Sequence, residues 1–192
     1  MCDKPLTIAD HDAASTHPPP GPPRGTLPAV LPPPFHIVLL NPDIPNNTGN
    51  IGRTAAATAC RLHIIHPIGF DMSEKMRRRA GLDYWDLVDC REHETWPAFL
   101  DAERPGRLWL YTTRTDRPHW QADLRHGDYL LFGRETRGVP PEIHEWVRAN
   151  YGADHRITLP MVPDPRARSL NLATAVCAAV YEGLRQLATR HD

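Results

Sequence analysis

Cysteine is scarce in this 192-residue chain: only Cys2, Cys60, Cys90 and Cys177 occur, scattered and with no C-x-x-C pair. That argues against a disulfide framework or a structural zinc site and for individually placed, buried thiols. Long apolar runs are missing as well, since none approaches the roughly 20 residues that span a bilayer. The N-terminus lacks the basic-then-apolar order of a secretory signal, so the expectation is a cytosolic protein with no membrane partner. No single sign of charge dominates: the net charge is −1, which announces no nucleic-acid binder by itself. A local basic patch counts for more than that total. Several catalytic signatures do not occur, among them G-x-G-x-x-G, a Walker loop, H-E-x-x-H and G-x-S-x-G. A nicotinamide or ATP enzyme, a zinc peptidase and a serine hydrolase are thereby disfavoured. His63 and His93 lack metal-ligand spacing, and no metal is expected.

Proline, by contrast, is abundant, and ten of the 21 prolines fall within residues 1–34. With few large apolar residues, that segment cannot bury enough surface to offset its ordering entropy, so it reads as a disordered or polyproline extension. A proline-rich docking segment is the alternative. The rest is 35–192, one domain of α/β texture. Apolar runs that read as buried strands are 35–40, 62–65, 108–112, 129–132 and 157–159, with a weaker one near 87–90. Helical stretches fall between them at 49–60, 73–81, 95–102, 141–149 and 170–188. Such alternation points to a parallel sheet covered on both faces. Thr48 or Asn50 is placed to cap the first helix, and Ser169 or Asn171 the last.

Three polar segments, far apart in the chain, join apolar runs to loops rich in Gly, Asn or Pro. The first, Pro45-Asn46-Asn47-Thr48-Gly49-Asn50-Ile51-Gly52-Arg53, reads as a helix start whose free N–H groups and returning arginine suit an anion. It also fits a plain helix cap with a surface arginine. The second, Leu131 to Pro140, sets Glu135 between Arg134 and Arg137 just after a strand. That carboxylate is either part of an ion-pair clamp or faces a ligand. The third runs from Leu159-Pro160-Met161 to Arg168-Ser169-Leu170-Asn171-Leu172-Ala173, and its prolines stiffen a loop before a capped helix. A separate block, Lys75-Met76-Arg77-Arg78-Arg79, gathers four cations in five residues, as either a solvated face or a phosphate-binding patch.

Taken in order, N-T-G-N-x-x-R, F-G-x-E-T-x-G-V-P and P-M followed by R-S-L-N-L, the three segments resemble the SPOUT superfamily of RNA methyltransferases, in its SpoU-like branch. Together with Arg78-Arg79-Ala80-Gly81-Leu82-Asp83-Tyr84 they are most similar to the small single-domain enzymes that 2′-O-methylate the wobble nucleotide of tRNA. The resemblance covers nearly all of residues 36–190. It implies an α/β parallel-sheet fold with a deep C-terminal trefoil knot, S-adenosylmethionine as cofactor, tRNA as substrate, a homodimer, and no role for DNA. It also implies that Arg53 acts near the ribose 2′-hydroxyl, positioned by Asn50 and Glu135. Tyr111, Gly133, Leu159, Ser169 and Asn171 would hold the cofactor, while Arg77, Arg78, Arg79 and Tyr181 would meet the RNA. Methylation of another tRNA position or of ribosomal RNA, and a knotted RNA-binding protein without activity, stay open as alternatives.

Overall fold

The computed structural model describes residues 32–73, 82–164 and 166–190. The expected N-terminal extension, apart from its last three residues, and the basic block with Arg77, Arg78 and Arg79 lie outside the described residues.

Six strands form one sheet: β1 (Phe35–Leu40), β2 (Arg61–Ile65), β3 (Cys90–His93), β4 (Leu108–Tyr111), β5 (Asp128–Phe132) and β6 (Arg156–Ile157). Their order is β3-β2-β1-β5-β4-β6, and every neighbouring pair is parallel. Four described α-helices follow in chain order: α1 (Pro45–Thr58), α2 (Trp96–Glu103), α3 (Pro141–Tyr151) and α4 (Leu172–Thr189). The expected α/β parallel sheet is therefore present. β1 is buried at all six positions, as a strand covered on both faces must be, which is why it reads as an unbroken apolar run.

Alternate residues divide the core between the two faces. Phe35, Ile37, Leu39, Leu62, Ile64, Leu130 and Phe132 pack with Ile51 of α1 and Val176, Ala179 and Val180 of α4. Val38, Leu40, Ile65, Leu108, Leu110 and Leu131 pack with Phe99 of α2 and Ile143 and Val147 of α3. The chain leaves β1 toward β2 and β3 on one side, then returns to build β5, β4 and β6 on the other. Loops after the strands on either side of that reversal diverge, and the crevice between them is where open parallel sheets bind ligands.

Two elements differ from the sequence reading. The weak strand expected near 87–90 lies at Cys90–His93, because Trp85–Leu87 form a turn of 3-10 helix instead. The first helix begins at Pro45 rather than Gly49, with Ile44 at its N-cap and no side-chain cap. Neither Thr48 nor Asn50 is the cap, and Asn47 and Thr48 both donate their N–H groups to the Ile44 carbonyl at 3.1 and 3.2 Å. Proline at the first helical position pre-sets the backbone, so the Asn-Asn-Thr-Gly stretch is wound into helix rather than left as an anion-binding turn. Asn171 does cap α4, accepting from the Thr174 N–H at 3.2 Å.

The glycines of α1 serve packing. Leu82 closes on Gly49, and Tyr84 donates its hydroxyl to the Gly49 carbonyl at 2.6 Å. A Cβ on Gly52 would fall inside the contact radius of the Trp85 ring. Gly52→Ala is accordingly expected to destabilise the fold by about 1–3 kcal/mol through overpacking. Urea unfolding of the variant checks this, and an unchanged midpoint would show that Trp85 yields freely.

Candidate active site: a cleft at the strand ends

A cleft of about 650 Å³ opens at the C-terminal end of the sheet. Its walls come mainly from four stretches of the chain, Ile44 and Asn47 after β1, Tyr111 to Arg114 at the end of β4, Phe132 to Val139 at the end of β5, and Thr158, Leu159, Met161 and Arg168 to Leu172 after β6, with His144 of α3 and Ala175 of α4 beside them. Such a volume suits a nucleoside-sized ligand.

The loop after β5 is the organiser. It folds back on itself, with the Gly138 N–H on the Arg134 carbonyl at 2.8 Å and Gly138 at φ +68°. A Cβ on Gly133 would run into the Gly138 and Val139 backbone, which has nowhere to go; only glycine lets the strand end and the returning loop come this close. The loop is then fastened to the segment after β1. Arg134 donates to the Asn41 carbonyl at 3.2 Å and lies 3.4 Å from the Asp43 carboxylate. Thr136 donates to the other Asp43 oxygen at 2.6 Å.

Glu135 sits between these contacts with both oxygens in use. One accepts the Asp43 N–H at 2.8 Å, the other the Asn47 side-chain amide at 2.9 Å. Asn47, only 6% exposed, accepts in turn from the Asn171 side chain at 2.9 Å. A chain of hydrogen bonds, Asp43–Glu135–Asn47–Asn171, therefore runs through all three polar segments. The ion-pair clamp between Glu135 and its flanking arginines does not form, since Arg134 turns to Asp43 and Arg137 has no hydrogen-bond or ion-pair partner among the described residues.

Tyr111, Gly133, Leu159, Ser169 and Asn171 all line the cleft, as does Glu135. Tyr111 stacks on Phe132 with ring centroids 4.7 Å apart. Burial holds its phenol protonated, far above the usual range, and its hydroxyl is a buried donor with no partner among the described residues. A buried orphan of this kind is costly unless a ligand completes it. That donor, the exposed backbone of two glycine- and proline-bearing loops, and the cleft volume fit a flat nucleoside cofactor such as S-adenosylmethionine.

Arg53, Asn50 and Tyr181 stand elsewhere. Arg53 is exposed on α1 outside the lining, its guanidinium 4.0 Å above the centre of the Tyr84 ring. Burial raises the Tyr84 pKa and the Arg53 charge partly offsets that. Asn50 is exposed, and its side chain makes no hydrogen bond among the described residues, so Glu135 and Asn50 do not hold Arg53 within this chain. Tyr181 is 52% exposed on α4. The residue missed from sequence is Asn47: once α1 starts at Pro45, its side chain turns inward while Asn50 turns out.

Histidines thought unrelated in sequence meet on the other face of the sheet. His36, His63 and His93 come from adjacent strands, with His36 Nδ1 2.9 Å from His63 Nε2 and His63 Nδ1 3.0 Å from His93 Nε2. Tyr129 stacks on His36 at 4.0 Å and donates its hydroxyl to Glu103 at 3.2 Å. His36, His63 and Glu103 bring potential ligand atoms within 4.8 Å of one another, which corrects the expectation from spacing. The imidazole nitrogens are already bonded to each other, however, so the cluster is a cross-strand ladder rather than a set of convergent ligands.

Residues 34–181 match the SpoU rRNA Methylase family. The chain is 46% identical over 153 residues to a tRNA (cytidine(34)-2'-O)-methyltransferase of Saccharophagus degradans, covering 80% of this chain and 96% of that one. A solved structure described as giving structural insights into the 2-OH methylation of C/U34 on tRNA superposes with TM-score 0.70 at 47% identity, covering 81% and 97% of the two chains. An AdoMet-bound rRNA methyltransferase from Sinorhizobium meliloti shares the fold at TM-score 0.63 and 22% identity, covering 80% and 56%.

Proposed function

Because the chain belongs to the SpoU rRNA Methylase family, we propose that it methylates the ribose 2′-hydroxyl of the wobble nucleotide of tRNA, with S-adenosylmethionine as methyl donor. The relatives' names supply the substrate. The observation in this chain that carries the reading is the hydrogen-bonded line from Asp43 through Glu135 and Asn47 to Asn171, which locks three distant segments around one cleft. An RNA-binding protein without activity has no need of that construction.

Tyr111, Gly133, Leu159, Ser169 and Asn171 would hold the cofactor, the side chains through the Tyr111 hydroxyl and the polar groups of the third segment. Bound there, S-adenosylmethionine supplies a methyl group already activated on a sulfonium. What the protein adds is alignment of the ribose oxygen and a path for its proton. Arg53 takes the substrate side. A guanidinium is a planar fork of donors with no acceptor, so it orients the 2′-hydroxyl and a neighbouring phosphate rather than acting as a simple base. Stacking on Tyr84 limits its freedom.

Since Arg53 stands outside the lining of its own cleft, the reading is most coherent for a homodimer in which α1 faces a second copy. It also carries a C-terminal trefoil knot formed by the second and third segments, a single catalytic domain over 35–192 with 1–34 as an extension, and work in the cytoplasm, where tRNA is. Arg77, Arg78, Arg79 and Tyr181 remain proposed RNA contacts. The test is nucleoside mass spectrometry of tRNA incubated with the protein and S-adenosylmethionine. A 2′-O-methyl at the wobble nucleotide is expected; a methyl found only at another position, or none, would overturn the assignment.

A further inference from the structure

One wall of the cleft carries positive charge that no ion pair among the described residues balances. Arg114, just beyond β4, is fixed through its backbone, whose N–H bonds the Thr112 hydroxyl at 3.1 Å. Its exposed guanidinium lines the cleft and has no hydrogen-bond or ion-pair partner among the described residues. His144 of α3 also lines the cleft; it is 4% exposed, and its Nε2 is buried without a partner among the described residues. Arg156 opens β6, in register with Leu110 on β4; it stands behind the lining with its charge felt at His144, and its Nε is likewise buried without a partner among the described residues. Of the other arginines near this wall, Arg134 pairs with Asp43, and Arg117 pairs with Asp154 through a terminal nitrogen while its Nε is also buried without a partner among the described residues. Burial first, then the Arg114 and Arg156 charges, hold the His144 imidazole below its usual pKa. The one opposing carboxylate that bears on it, Glu145, is engaged by Arg148 at 2.6 Å. Arg137 and Arg168 line the cleft too, but as exposed loop residues without a buried atom left over.

Buried donors or acceptors left without partners are costly to a fold. A fold keeps that cost where a ligand relieves it, and beside two guanidinium groups the ligand that does so is an anion with paired oxygens. We propose that Arg114, His144 and Arg156 form an anion-recognition corner of the cleft, holding a carboxylate or phosphate of a bound reactant. The proposal rests on the methyltransferase reading, which offers two sources of that chemistry: the carboxylate at the amino-acid end of S-adenosylmethionine, and a phosphate of the RNA beside the target ribose.

Calorimetry with the Arg114→Gln and Arg156→Gln proteins separates them. Arg114 is exposed, so its variant is expected to fold even if the second does not, and thermal melts check both. If the corner holds the cofactor, S-adenosylmethionine binds about tenfold more weakly to the variants, while its decarboxylated analogue binds them as it binds wild type. If it holds RNA, cofactor affinity is unchanged and tRNA affinity, measured by filter binding, falls by about tenfold. A folded Arg114→Gln protein with both affinities within about twofold of wild type overturns the corner and leaves the methyltransferase reading intact. Wild-type protein that binds neither reactant overturns that reading and the corner with it.

Discussion

Replacing Glu135 with alanine is expected to slow methyl transfer by about a hundredfold, the scale that a displacement of about 1 Å exacts on an aligned reaction. Glu135 makes no ion pair among the described residues; its two oxygens accept from the Asp43 N–H and from Asn47. Removing it leaves the segment after β1 held to the loop after β5 only by the Arg134 and Thr136 contacts, and cuts the link from Asn47 to Asn171 at its root. The part-buried Asp43 N–H loses its acceptor as well, at a cost of about 1–3 kcal/mol.

Glutamine sharpens this prediction. Its amide has one acceptor oxygen and one donor nitrogen, whereas the site presents two donors. Glu135→Gln can satisfy Asp43 or Asn47, but not both, so its rate should fall between those of wild type and Glu135→Ala. Single-turnover rates at saturating cofactor and tRNA provide the measurement, with an unfolding midpoint beside each to separate misalignment from loss of fold. A glutamine variant at the wild-type rate would mean that the double acceptance has no part in alignment.

How much of this was legible in the chain depends on which interactions are local. Buried parallel strands are continuous apolar runs, so β1, β2, β4 and β5 could be read from composition and length alone. The last helix was legible for the same reason, because its apolar stripe and its Asn171 cap lie within one segment. The start of α1 was not. Asn-Asn-Thr-Gly favours turns by local propensity, but Pro45 at the first helical position and the packing of Leu82 and Trp85 onto Gly49 and Gly52 outweigh it. That one shift of register places Asn47 in the cleft and Asn50 at the surface of this chain, which local propensity could not show. The partner of Glu135 could not be read either, since Asp43 and Asn47 lie 92 and 88 residues away in sequence. The order of the polar segments identified the family; only the fold showed how they are tied together.

Stability should fall steeply with acid, and the histidine ladder is the cause. Burial, with Arg61 and Arg91 nearby, lowers His36 to about 4 against partial relief from Glu103 and Asp89. Burial, then His36, His93, Arg61 and Arg91, lowers His63 to about 2, even with Glu103 at 3.9 Å from its Nδ1. His93 is lowered for the same first reason. A depressed folded pKa means that the unfolded chain takes up protons first, as pH drops through about 6.5. The stability is therefore complete above that value and drains away as pH falls toward the folded values. At about pH 5 the loss is about 2 kcal/mol for each of His36 and His63, or about 4 kcal/mol together, against the 5–15 kcal/mol typical of a domain. The hydrogen bonds add a limit of their own. A neutral imidazole has one donor and one acceptor, and His63 uses both, so one extra proton can be accommodated along the ladder, whereas a second sets donor against donor. Urea unfolding at about pH 8 and about pH 5 should show this difference, and His36→Phe, which keeps a ring against Tyr129 while removing one titrating group, should reduce it by about half. Equal stability at both pH values would show that these histidines take up protons in the folded protein as they do in the unfolded chain, so that burial does not depress them.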